Sequence, residues 1–200
     1  MKLQTDPKVI AALAAEKADE NWKFRAFLKA LDVEDTRLDA LVHTLYRDIA
    51  AQIDCSACAN CCKVLLPALD DDEVKRLADK LDMAVDQLIE RLLTPSETPD
   101  RMTFKTTPCP LLEDNRCTAG AAKPEGCRSF PNLHKHGFTT RLIQVVHNCT
   151  TCPIVYNVYE RLKEELGFDY YDDEPASEDP WDEGLPWFDF AEKDDPYIPD

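Results

Sequence analysis

The chain has 200 residues, a length typical of one domain, and its 39 acidic and 23 basic side chains give a net charge of −16. Residues 168–200 hold 13 of the acidic side chains and one basic one, so the remainder of the chain is close to neutral. Nine cysteines accompany only five widely spaced glycines, which excludes the glycine-rich phosphate loops of dinucleotide-binding and P-loop proteins.

The N-terminal quarter of the chain predicts two amphipathic helices. Asp6 and Pro7 are typical of an N-cap and a first helical residue, and apolar residues at helical spacing continue to about Leu31. A second helix is predicted from about Asp35, and its apolar face runs directly into the first cysteines.

The middle of the chain alternates short helices and loops. Acidic residues at 70–73 favour the N-terminus of a helix that ends near Leu81, and a further helix is predicted over residues 85–93. Residues 63–66 predict a short extended segment, and the prolines in residues 94–100 predict a loop.

Two segments in the second half have the pattern of strands. Residues 101–106 and 138–146 are expected to pair as a small antiparallel sheet. Cys152 and Pro153 open a predicted last helix that ends near Leu166. The predicted fold class is therefore mainly α with a small antiparallel sheet, in a single cysteine-rich domain organised by metal.

Composition divides the chain into three predicted segments. These are an N-terminal helical pair at 1–54, a cysteine-cluster metal-binding domain at 55–167 and an acidic aromatic arm at 168–200. The arm holds 8 of the 17 aromatic residues, a composition that predicts either docking on the body or binding to a protein partner. The overall negative charge predicts no binding to nucleic acid, and the short apolar runs predict no membrane span.

The cysteines fall into three groups in the sequence, and all nine are candidate metal ligands. They are Cys55, Cys58, Cys61 and Cys62, then Cys109, Cys117 and Cys127, and finally Cys149 and Cys152. An odd number of cysteines and an N-terminus without an apolar leader point to the cytoplasm, where thiols stay reduced. There a C-x2-C turn brings two sulfurs onto one metal ion.

The spacing of the first three cysteines favours an iron–sulfur cluster over zinc. Cys55, Cys58 and Cys61 match the first three ligands of a bacterial-type [4Fe–4S] loop, whose remote fourth ligand often precedes proline. Cys109 and Cys152 both precede proline. Zinc held by four thiolates is the alternative, and it would be structural.

The adjacent Cys61 and Cys62 are expected to point their sulfurs in different directions. Neighbouring side chains of an extended backbone point to opposite faces, which would send the two sulfurs to different metal sites or leave one unligated. Nine cysteines and the nearby His147 suffice for one site or two. Two alternatives to metal binding remain. The thiols could be unligated and packed as small apolar groups, or Cys149 and Cys152 could form a redox pair.

Other polar residues near the cysteines are weaker candidates. His134 and His136 favour an exposed loop or a core role over metal binding, whereas His147 could donate to a metal ligand or itself be a ligand. Arg128 could donate hydrogen bonds to cluster sulfurs or pair with a carboxylate.

The cysteine motifs resemble those of a known family. The run Cys55-x2-Cys58-x2-Cys61-Cys62 and the block at 123–131, which reads Lys-Pro-Glu-Gly-Cys-Arg-Ser-Phe-Pro, are similar to the CxxCxxCC or YkgJ-like family of zinc- or iron-chelating domains. The likeness covers about residues 50–155 and includes Cys109-Pro110 and Cys117. The chain departs from the family pattern at Ala119-Gly120, where Ile-Tyr is usual, and at Lys123, where arginine is usual.

Three functions follow as hypotheses. The resemblance implies metal chelation, and the cysteine spacing favours a protein that holds a [4Fe–4S] cluster. The second hypothesis is a zinc-stapled interaction module that binds a protein partner through the arm. The third is a protein-modifying enzyme, since one branch of the family is associated with lysine N-methylation of flagellin.

Overall fold

The computed structural model describes residues 2–170 and confirms the predicted fold class: this part of the chain is mainly helical, with two antiparallel sheets of two strands each. Residues 2–168 belong to one compact unit. The predictions for the acidic aromatic arm beyond Tyr170 lie outside the described residues, and the three-segment division stays a prediction. Every helix within residues 2–170 is too short or too polar to span a lipid bilayer.

The elements follow one another in short segments. In chain order they are α1 (Pro7–Glu16), α2 (Ala18–Ala30), α3 (Asp35–Ala50), α4 (Cys55–Cys58), α5 (Asn60–Val64), α6 (Asp71–Lys80), α7 (Val85–Leu92), β1 (Leu93–Pro95), β2 (Met102–Phe104), β3 (Leu112–Glu113), β4 (Arg116–Cys117), a 3-10 turn (Gly120–Ala122), α8 (Glu125–Ser129), a second 3-10 turn (Phe138–Arg141), α9 (Leu142–Cys149) and α10 (Pro153–Glu165). Strand β1 pairs with β2, and β3 pairs with β4.

The N-terminal region differs from its prediction in one respect. The Asp6 carboxylate caps α1 by accepting the Lys8 N–H at 2.8 Å, as the sequence predicts. A single helix to about Leu31 is wrong, because the chain leaves helical geometry at Lys17. The break lets α1 pack against α10 while α2 packs against α9.

The predicted pairing of residues 101–106 with 138–146 is also wrong. Strand β2 instead pairs with β1, which places Leu93, predicted as the end of a helix, opposite Phe104; the rest of β1, Thr94 and Pro95, lies in the stretch predicted as a loop. Residues 138–149 are helical, since Leu142, Val145, Val146 and Cys149 recur at the spacing of a helix and are all buried. An apolar run of this length fits either period from sequence alone.

Two clusters of buried apolar side chains hold the fold together. The larger cluster joins α1, α2 and α3 to α9 and α10, with Phe24 and Tyr159 in contact at its centre, 5.0 Å between ring centroids. The smaller cluster joins α6, α7 and the β1–β2 sheet to residues 111–122. Cys149 and Cys152 are buried in the larger cluster, whereas Cys109 and Cys117 pack against the smaller one. Cysteines are therefore part of both clusters.

Candidate metal centre

Two one-turn helices present the first four cysteines. Asp54 caps the N-terminus of α4: its carboxylate accepts hydrogen bonds from the Ser56 N–H at 2.8 Å and from the Ser56 hydroxyl at 2.7 Å. Ala59 adopts a left-handed conformation, with φ of 47°, and separates α4 from α5. The Asn60 side chain donates to the Thr151 carbonyl at 2.8 Å. This contact holds the segment against the loop that leads to Cys152.

Backbone hydrogen bonds bring a second stretch of chain to these helices. The Cys109 N–H donates to the Cys62 carbonyl at 2.9 Å. Beyond it, the β3–β4 hairpin turns at Asp114 and Asn115, both in left-handed conformations that suit these residue types. The Asn115 amide then donates to the Ala57 carbonyl at 3.2 Å. Cys109 and the cysteine of β4 are thereby held beside α4 and α5.

Helix α8, which carries Cys127, is held by the N-terminus of α6. Asp70 and Glu73 form a capping box, in which the Asp70 N–H donates to one Glu73 oxygen at 3.0 Å. The other Glu73 oxygen accepts the Glu125 N–H at 2.7 Å. The capping box follows from a D-x-x-E pattern in the sequence, but its second role in positioning α8 does not.

The structure gathers eight of the cysteines around two cavities. We call them the Cys152 group (Cys55, Cys58, Cys61 and Cys152) and the Cys109 group (Cys62, Cys109, Cys117 and Cys127). The Cys152 group lines a cavity of about 230 Å³, the Cys152 cavity. The Cys109 group lines a cavity of about 480 Å³, the Cys109 cavity. Cys61 and Cys127 line both, so the two cavities are adjacent.

Electrostatics supports the same grouping. Burial, followed by the neighbouring thiols of Cys62 and Cys109, raises the pKa of Cys127 to about 12. Burial raises the pKa of Cys152 to about 11, and the nearby Cys55 and Cys58 add to the effect. Cys127 and Cys152 thus resist ionisation, and a cation placed beside them would oppose that effect.

The premise of an extended backbone at Cys61 and Cys62 is wrong. Both residues lie in α5, with their sulfurs 3.9 Å apart. The hydrogen bond between the two thiols, with Lys123 and Lys63 nearby, lowers the pKa of Cys62 to about 6, while the pKa of Cys61 rises. Because zinc–sulfur bonds of about 2.3 Å set tetrahedral edges of about 3.8 Å, this pair could also serve one ion.

Lys123 contributes a cation to both cavities. Its side chain lines each of them, and its charge opposes the rise in the pKa of Cys55 and Cys127. In the sequence this residue stood out only as a departure from the family pattern. The structure places it where four or more thiolates would need a positive charge.

The remaining candidates lie away from the cavities. Cys149 is 1% exposed, lines neither cavity and is the ninth thiol. His147, predicted at a strand end, lies on α9 with its ring edge-on to Trp22 at 5.8 Å. His134 lies near Tyr46, and His136 lies beside Asp39.

Arg128 lines the Cys152 cavity, and its Nε lies 3.4 Å from Glu125. It thus makes the carboxylate contact that was one of its two expected roles.

The cysteines lie near one another but do not form a closed metal-coordination shell. All nine are free thiols. Among residues 2–170, no three His, Cys, Asp or Glu side chains stand close enough to form a ready-made metal site. The donor set nevertheless fits a thiophilic metal, since five cysteines line each cavity, two of them shared, and Lys123 lines both cavities.

Comparison with known protein families gives a match over the cysteine region. The family model CxxCxxCC, described as a putative zinc- or iron-chelating domain, matches residues 54–153, half of the chain. The chain therefore belongs to this family. The matched region contains every cysteine of both groups. No curated protein and no solved structure matches the chain.

Proposed function

We propose that this member of the CxxCxxCC family is a cytoplasmic protein that holds a [4Fe–4S] cluster on Cys55, Cys58, Cys61 and Cys152. The observation that carries the proposal is the position of Cys152. It is about 90 residues beyond Cys61, yet it lines the same cavity as the C-x2-C-x2-C segment. Three cysteines at this spacing plus a remote Cys-Pro are the ligand pattern of bacterial-type clusters.

The Cys109 group supplies four further thiols for a second centre. Its members come from α5, the β3–β4 region and α8, which hydrogen bonds hold together. With both groups assigned, eight cysteines act as ligands and Cys149 remains an unligated core residue. The buried thiols also need a reducing compartment, which is why we place the protein in the cytoplasm.

When bound, such clusters supply one-electron transfer. The residues of this chain would exclude water and balance charge. Pro131, Pro153 and Ile154 line the Cys152 cavity and limit solvent access. Lys123 lies beside the thiols and would offset part of the negative charge that they carry when bound to metal.

The test is anaerobic purification of the full chain followed by quantitation of iron, inorganic sulfide and zinc. Four iron and about four sulfide ions per cluster, with visible charge-transfer absorption, are expected. Cys152→Ser should lose one cluster, whereas the matched control Cys149→Ser should keep the iron content of the natural chain. Zinc without sulfide would overturn the iron–sulfur proposal, and loss of iron from Cys149→Ser alone would overturn the ligand assignment.

A second function has one specific observation in its favour. The 3.9 Å separation of the Cys61 and Cys62 sulfurs is close to the edge of a zinc–thiolate tetrahedron. In that case the chain is a zinc-stapled interaction module, and the acidic aromatic arm at 168–200 is the segment that would bind a protein partner. The same metal analysis separates the two functions, since this one requires zinc and no sulfide.

A further inference from the structure

The Cys109 cavity contains polar groups that the thiols do not explain. Three primary amides line it, from Asn132, Gln144 and Asn148. Gln144 and Asn148 are four residues apart on α9 and therefore lie on the same helix face. Within residues 2–170, none of the three side chains has a hydrogen-bond partner.

Of the three amides, Asn148 gives the strongest evidence for a ligand. The residue is 6% exposed and lines the cavity. Its amide makes no hydrogen bond within residues 2–170, and its polar atoms remain accessible from the cavity. A molecule bound in the cavity can therefore pair with them.

The other residues that line the cavity indicate which kind of molecule would fit. Leu65, Phe104, Leu111 and Phe130 supply apolar surface, and among the described lining residues Lys123 is the single basic side chain and no carboxylate occurs. The volume of about 480 Å³ is within the range of small-molecule sites. Because Lys123 already faces the thiols, no unpaired charge remains to select a charged ligand.

We propose that the Cys109 cavity is a binding site for an uncharged organic molecule with an apolar body and an amide-type edge that both donates and accepts hydrogen bonds. Asn148 pairs with that edge, and Gln144 and Asn132 complete the set. The cysteines of the Cys109 group line the same cavity, so the bound molecule lies beside them. A metal centre on the thiols would take up part of this cavity, so the bound molecule is one small enough to lie beside that centre.

The experiment uses two probes of matched shape, benzamide and isopropylbenzene, titrated into the full chain as purified and followed by ligand-detected NMR. The chain should bind benzamide about tenfold more tightly, because two hydrogen bonds to a buried amide are each worth about 0.5–1.5 kcal/mol. In Asn148→Leu, which is similar in volume, this preference should vanish while isopropylbenzene still binds. Retained binding of the apolar probe shows that the cavity is intact.

Ile143→Ala is the matched control, since Ile143 lies on the same helix, is 53% exposed and does not line the cavity. It should bind both probes as the natural chain does. If Asn148→Leu does not fold, Gln144→Leu, at an exposed position, should lower the preference several-fold. Equal binding of the two probes by the natural chain, or an unchanged preference in the folded variants, would overturn the proposal. Iron and zinc are quantified in each sample, so a failed metal assignment is recognised separately.

Discussion

Lys163 is the buried cation on which the packing of α10 against the N-terminal helices depends. It is 5% exposed, and its Nζ lies 2.6 Å from Glu160, 2.7 Å from Glu20 and 2.7 Å from the Asn21 side-chain oxygen. Glu160 also pairs with Lys17. The network therefore contains two lysines and two glutamates and is neutral.

We expect Lys163→Met to lower the free energy of unfolding by about 3 kcal/mol. Removing one partner of a buried ion pair costs about 3–5 kcal/mol, because the remaining charge is left buried without compensation. The lower end applies here since Lys17 still faces Glu160 and Glu20 is partly exposed. Methionine fills most of the space of the lysine stem, so loss of charge dominates over loss of packing.

The assay is urea unfolding followed by circular dichroism at constant metal content. Lys75→Met is the matched control, because its ion pair with Asp72 is exposed and should contribute less than about 1 kcal/mol. Adding Glu160→Gln to Lys163→Met restores neutrality and should recover more than half of the lost stability. A loss below 1 kcal/mol, or a double variant less stable than the single one, would refute the reasoning.

Two further predictions concern single side chains. Burial alone would raise the pKa of Asp39, but hydrogen bonds from the Phe138 and Gly137 amides hold this pKa below its ordinary value of 3.8. The stability that the ionised carboxylate contributes is therefore present above pH 3.8 and is lost in stronger acid. Asp39→Asn should therefore lower unfolding free energy by about 1–3 kcal/mol near neutrality and by much less in acid, and a pH-independent difference in urea unfolding would contradict this. Asp70→Ala removes the carboxylate that accepts the Glu73 N–H at 2.8 Å and should lower the free energy of unfolding by about 1 kcal/mol, measured by thermal unfolding. An unchanged stability would show that this cap is redundant.

Local chemistry made several elements predictable. The acidic start of α6, the Asp6–Pro7 start of α1 and the Cys152–Pro153 start of α10 are all signals in which one side chain or ring directly sets the backbone. Each signal acts within a few residues and needs no knowledge of the rest of the fold.

The errors arose where tertiary packing decides. Residues 138–146 contain enough β-branched and apolar side chains to fit a strand, and only their burial against α10 and α3 makes the helix the better state. That error also hid Gln144 and Asn148, because the two amides share a face only on a helix. The break at Lys17 has the same origin, since no proline or glycine marks it.

The site shows the same division between local and distant information. Spacing predicts Cys55, Cys58 and Cys61 as a chelating segment, but it does not choose between Cys109 and Cys152 as the fourth member. That choice depends on contacts that span about 90 residues, such as the hydrogen bond from Asn60 to Thr151. Elements that meet over such a separation are set by the packing of the whole chain.

The arrangement of the thiols suggests why a chain with a modest core carries so many cysteines. The Cys152 group is attached to the larger apolar cluster through Cys152, and the Cys109 group to the smaller cluster through Cys109 and Cys117. Cys61 and Cys62 are consecutive residues of α5 and belong one to each group. Under the proposed function, metal in either centre replaces mutual repulsion between buried thiolates with shared coordination. The free energy of metal binding then adds to the free energy that keeps the two apolar clusters together.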